Sequence, residues 1–155
     1  MEPLINVYVE IPQFSNIKYE YNTDTHRLEI DRLLNAPFVY PYAYGFIPHT
    51  LAKDGDELDI LILTNKPLQN NRYYQVYLIG TLDMEDEKGI DEKILCVLPE
   101  DYDKIQDIDD VSDEIKNEIA YFFSNYKKNV KDKWSNVGSF MNKKQTMELF
   151  ISSLT

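Results

Sequence analysis

The spacing of apolar and polar residues changes once along this chain, separating a β part from an α part. Leu4 to Ile11 reads as a strand stopped by Pro12, and Ile17 to Tyr21 as a second. Leu28-Glu29-Ile30-Asp31-Arg32-Leu33 alternates, as a strand with two unlike faces does. Tyr40 to Phe46 carries aromatics at every second position, at 40, 42, 44 and 46. Glu57 to Leu63, Tyr73 to Met84 and Glu92 to Leu98 supply further strands, with Asp86-Glu87-Lys88-Gly89 as a turn. Short strands separated by turn signals predict a small closed barrel.

In the last third the period becomes helical. Ile115, Ile119, Phe122 and Tyr126 share a face, with Asp110 as the expected N-cap. Met147, Phe150, Ile151 and Leu154 predict a second helix, and Lys127 to Asn136 between them reads as a polar, basic connection. The fold class expected is α+β, mainly β: a barrel flanked by two helices. No repeat, low-complexity linker or boundary divides the chain, so residues 1–155 are expected to form one domain.

Net charge is −11, which disfavours nucleic acid as a partner, because phosphate backbones select basic surfaces. The single Cys96 cannot form an internal disulfide. No apolar run is long enough for a signal h-region or a membrane span, so no membrane association and a cytoplasmic protein are expected.

The chemistry concentrates in Asp54-Gly55-Asp56-Glu57-Leu58-Asp59, which runs into Ile60-Leu61-Ile62-Leu63. Carboxylates against so apolar a run are costly without a partner. A bound cation is the cheapest partner for several at once, and oxygen-only ligation points to Mg²⁺, Mn²⁺ or Ca²⁺. Five glycines, at 45, 55, 80, 89 and 138, fit no Gly-rich phosphate loop. Leu58 stands where a calcium loop requires an oxygen ligand, and two histidines with one cysteine make a zinc cage improbable. Taken singly, most of the remaining charges read as solvated surface. The acids from Asp101 to Asp113 are read that way outright.

Several segments then fall in a telling order: Val9-Glu10-Ile11-Pro12, Ile17-Lys18-Tyr19-Glu20, Asp31-Arg32, and Tyr40 to Pro48. After the acidic core come Asp86-Glu87, Asp91, Lys93 and Phe122-Phe123-Ser124-Asn125-Tyr126-Lys127. The ensemble, spanning about residues 4 to 150, resembles the soluble family I inorganic pyrophosphatases of the short, bacterial-type branch. Glu57 stands in the less usual fourth place of that family's Asp-x-Asp-(Pro/Glu)-x-Asp signature.

The resemblance implies an OB-like, five-stranded closed barrel and Mg²⁺-dependent hydrolysis of inorganic pyrophosphate to two phosphates by a water shared between metals. It implies several Mg²⁺ per site, with Mn²⁺ or Zn²⁺ as substitutes. Asp54, Asp59 and Asp91 resemble the first ion's ligands, and Asp56, with Asp59, the catalytic pair. Asp86, Glu87 and Glu20 resemble further metal ligands, and Glu10 a supporting acid. Lys18, Arg32, Tyr44, Tyr126 and Lys127 resemble the substrate clamp, with Tyr40 and Lys93 beside it. Ligation by carboxylates would leave the lysines and the arginine free for phosphate oxygens.

A homo-oligomer, a hexamer, is also implied, with Tyr121, Phe123 and the last helix as apolar surface. Tyr121 and Asn125 replace histidines that some bacterial relatives carry there. The alternatives are an OB-type binding module, whose aromatics would stack on bases but whose groove should be basic, and a catalytically inactive homologue.

Overall fold

Strand-forming residues at alternate positions build β1 (Ile5–Ile11), β2 (Ile17–Asn22), β3 (Arg27–Leu33), β4 (Ala43–Ile47) and β5 (Leu58–Ile62). They continue through β6 (Arg72–Asp86), β7 (Gly89–Ile90), β8 (Lys93–Val97) and β9 (Ser135–Met141), with helices α1 (Asp113–Asn125) and α2 (Lys143–Ser153). The structure is a computed structural model that describes residues 2–155; Met1, which the expected domain included, lies outside the described residues.

Pairing runs β1–β4–β5–β8–β6, and β6 returns to β1, closing a ring of five strands. All these pairs are antiparallel except β5–β8. This is the expected OB-like barrel. At 15 residues, β6 is long enough to close the ring and still pair with β7 and β9. Side-chain alternation divides the strands between two apolar clusters. One, with Leu61, Leu82 and Leu95, is covered by Ile119, Phe122 and Phe123 of α1. The other, with Val7, Ile60, Val76 and Ile94, is reached by Phe150 of α2.

Several expectations are corrected. β2 and β3 form a separate two-stranded sheet instead of joining the ring. Their residues are mostly half-buried or exposed, because only one face of the hairpin meets the protein. Tyr40 to Tyr42 precede β4 as irregular chain, and their aromatic alternation records burial instead of strand pairing. β9 was not expected: it starts at the end of the connection read as polar and basic and runs beyond it, and its residues are half-buried or exposed at the sheet margin and so lack a strong apolar period.

Ser112, not Asp110, caps α1, its hydroxyl accepting the Ile115 N–H. Asp110 instead accepts N–H bonds from Gln106 and Asp107 around a preceding 3-10 turn. In α2 the buried positions are Thr146, Phe150 and Ser153, while Ile151 and, just past the helix end, Leu154 face solvent. Phe123, expected on an oligomer surface, is fully buried on the barrel-facing side of α1.

Gly45 is the tightest point of the ring. It pairs with Val9 in β1, and a Cβ there would overlap the Tyr8 carbonyl. Gly45→Ala should therefore destabilise by more than about 3 kcal/mol, beyond the usual range for one substitution, since backbone must move. Urea unfolding of the purified variant checks this.

Candidate active site

One cavity of about 860 Å³ opens between the barrel, the β2–β3 hairpin and the chain that follows α1. All fifteen expected site residues border it: Glu10, Lys18, Glu20, Arg32, Tyr40, Tyr44, Asp54, Asp56, Asp59, Asp86, Glu87, Asp91, Lys93, Tyr126 and Lys127. The acids of the Asp101 to Asp113 stretch do not. The β4–β5 connection presents Asp54 and Asp56, and β5 places Asp59 opposite Lys93 of β8 in the parallel pair. The β2–β3 hairpin contributes Lys18, Glu20 and Arg32, and the end of α1 delivers Tyr126 and Lys127.

At the floor lies Lys93, 2% exposed. Its ammonium donates to Tyr44 Oη at 2.7 Å, Asp59 Oδ2 at 2.8 Å and Asp91 Oδ2 at 2.9 Å. Burial alone would lower its pKa, but Asp59, Tyr44 and Asp91 hold it well above the ordinary lysine value. Lys127 is bound likewise, with Nζ 2.8 Å from Asp86 Oδ2 and 3.4 Å from Glu87. For Asp86, burial would raise the carboxyl pKa, but the bond from Lys127, its charge and the Lys88 N–H together outweigh it and the pKa falls. Lys18 pairs with Asp31 at 2.8 Å. These lysines are therefore engaged by acids.

Arg32 differs. Its Nε, Nη1 and Nη2 are buried and have no hydrogen-bond partner among the described residues, while its guanidinium carbon lies 5.9 Å from the Tyr126 ring centre. A desolvated guanidinium with its donors unfilled is expensive unless an anion completes it.

The acids suit a cation. Burial, with Asp59 beside it, raises the Asp91 carboxyl to about 6, and burial raises Asp54 as well. Hard oxygen donors that repel one another are the chemistry a divalent cation relieves. Among the described residues, no three Asp, Glu, His or Cys side chains close a ready-made cage.

The family model described as inorganic pyrophosphatase matches residues 7–154. The chain belongs to the inorganic pyrophosphatase family. It is 43% identical over 149 residues to the inorganic pyrophosphatase of Thermus thermophilus, covering 94% of this chain and 85% of that one. The Sulfolobus acidocaldarius inorganic pyrophosphatase is 46% identical over 129 residues, covering 80% and 74%. The crystal structure of the Thermus thermophilus protein superimposes with a TM-score of 0.93 at 42% identity, covering 97% of this chain and 88% of that one. The Helicobacter pylori inorganic pyrophosphatase gives 0.92 at 36%, covering 97% and 91%.

Within this family member the cavity includes cations that sequence reasoning passed over. Lys88 follows Glu87 in the β6–β7 turn, and Lys133 borders the cavity from the stretch read as a basic connection. Asp31, which enters the sequence reading only as part of a motif, is the acid that holds Lys18. The cluster of lysines at 127, 128, 131 and 133 was the available signal.

Glu10 offers a test of the cavity's electrostatics. It is buried, accepts the Tyr21 N–H at 2.9 Å, and burial lifts its carboxyl from 4.5 to about 8. A pKa raised on folding gives stability that is full below about 4.5 and lost as pH rises towards 8. Glutamine has no proton to lose. In metal-free protein, Glu10→Gln should therefore gain thermal stability over the parent progressively between pH 4.5 and pH 8. Melting curves in chelator measure that gap, and a gap that stays flat across the range would show Glu10 ionised.

Proposed function

We propose that this chain hydrolyses inorganic pyrophosphate to two phosphates, using Mg²⁺ held by Asp54, Asp59 and Asp91. The observation that carries the reading is the unfilled Arg32 guanidinium in the same cavity as those acids. Pyrophosphate carries about three to four negative charges near neutral pH, so its attack by an anionic nucleophile is opposed until cations neutralise it. When bound, Mg²⁺ would lower the pKa of water and neutralise phosphate oxygens, with Mn²⁺ or Zn²⁺ as substitutes. Asp86, Glu87 and Glu20 are assigned to further cations, and Glu10 supports them.

Arg32 receives phosphate oxygens through its planar donors, with Lys18, Lys127, Tyr44, Tyr126, Tyr40 and Lys93 around it. Lys18 and Lys127 exchange part of their carboxylate contacts for phosphate, so substrate enters an already balanced ion network. Asp56 takes the proton from the attacking water. One phosphorus–oxygen bond forms, and the bridging bond breaks to release the second phosphate. Tyrosine hydroxyls add donors without charge, and burial keeps Tyr40 and Tyr44 protonated by raising both well above the usual phenol value.

The reading extends to one domain, working in the cytoplasm. No helix among the described residues is long and apolar enough to cross a membrane. It also extends to a homohexamer. The exposed Tyr121 on α1 and Ile151 on α2 supply apolar surface in support of it. Light scattering at micromolar concentration should give six protomer masses, and a monomer mass would remove that assembly.

Purified protein should release phosphate from pyrophosphate only with Mg²⁺ present, and no release at saturating Mg²⁺ would leave the inactive-homologue reading. Asp59→Asn should lower kcat by about 10²–10⁴, the scale of losing a positioned electrostatic group. Asp103→Asn, outside the cavity, should leave turnover unchanged. Equal effects of the two would mean that the wrong acids have been assigned.

A further inference from the structure

The β4–β5 connection leaves the sheet at Ile47 and returns at Leu58, paired residues, while carrying Asp54 and Asp56 to the cavity. Its tip is fixed to itself. The Ala52 N–H donates to the Asp56 carbonyl at 2.7 Å, the Gly55 N–H to the Ala52 carbonyl at 3.1 Å, and Asp54 Oδ1 accepts the Asp56 N–H at 3.1 Å. None of these bonds sets where the tip stands relative to Asp59.

The root does that through Thr50, which is 5% exposed. Its hydroxyl donates to the Ile47 carbonyl at 2.6 Å and accepts the Leu58 N–H at 3.0 Å. One side chain thus ties the departing strand end to the residue that immediately precedes Asp59. The end of α2 and the residues that follow it brace the same turn from outside the cavity. The Leu51 N–H donates to the Ser153 carbonyl at 2.8 Å, and the Thr155 N–H to the His49 carbonyl at 3.1 Å.

We propose that Thr50, backed by the 153–155 segment, is a positioning residue that sets Asp54 against Asp59 for cation binding. The inference rests on the reading above that Asp54 and Asp59 hold the cation. A hydroxyl is needed because the root presents one acceptor and one donor, and a single O–H group satisfies both. Valine keeps the shape and satisfies neither. Serine satisfies both.

Titration calorimetry of metal-free protein with Mn²⁺, without substrate, tests this directly. Thr50→Val should weaken Mn²⁺ binding by about 10-fold or more, the range for partners that orient a metal ligand, and Thr50→Ser should restore it. Thr155→Pro removes the outer N–H donor where the preceding Leu154 is already extended (φ −64°, ψ 135°). It should weaken binding in the same direction with the barrel core untouched. Asp54→Asn serves as reference. If Asp54→Asn weakens binding while Thr50→Val and Thr155→Pro both bind as the parent does, the positioning role is overturned and the ligand assignment stands. If Asp54→Asn itself binds normally, the ligand assignment fails and takes this inference with it. Should Thr50→Val not fold, the Thr155→Pro titration decides alone.

Discussion

Everything in the cavity is arranged around a buried ammonium. Lys93 lies out of water, and its three donors are taken by Tyr44, Asp59 and Asp91. Those partners come from β4, from β5 and from the residues just before β8, so one charge ties three parts of the ring together. Removing one partner from such a buried set costs about 3–5 kcal/mol in comparable cases, because it strands the opposite charge. A one-residue slip of β8 would turn Lys93 to the other face and put an apolar side chain against the acids. The Tyr44 and Phe123 rings, with centroids 5.2 and 5.5 Å from the ammonium, keep water away from it.

From that centre the charges spread in two directions. Acids line the barrel side, where the strand ends and the β4–β5 connection converge. The hairpin outside the ring brings Lys18 and Arg32 over them, and the end of α1 brings Lys127. Most of these cations are already held by carboxylates, which keeps a crowded, partly dry cavity near electrical balance. Arg32 is left with unfilled donors, and Asp54 and Asp91 with raised carboxyls. The cavity is short of an anion at one point and of a cation at another. A phosphate compound arriving with divalent metal would supply both, as proposed above.

Legibility followed burial. Asp59 stood out because it interrupts an apolar run, and it proved to lie on a central strand of the ring. The strands with both faces covered, β5 and β8, were legible almost to the residue. β9 was not, because a strand at the sheet margin has little apolar period to read. The β2–β3 hairpin was seen as strands but not as a separate sheet, since alternation says that a face is covered without saying by what. Ser112 took the cap expected of Asp110 because the Asp110 carboxylate was already occupied by a neighbouring turn.

By itself the sequence determined the kinds of groups in the cavity, their order along the chain, the mainly β character with two helices, and the family resemblance. These depend on residue identity and local spacing, which a chain carries without folding. Only the tertiary structure decided which charges neutralise one another. Lys93 and Asp59, 34 positions apart, meet through strand register. Lys127 and Asp86, 41 apart, meet because α1 packs against the barrel. The same packing leaves the Arg32 guanidinium buried without a partner among the described residues and places the hydroxyl of Thr50 between two strand ends. Ion pairing in a dry cavity depends on distances of a few ångströms between remote residues, and those distances exist only once the ring has closed.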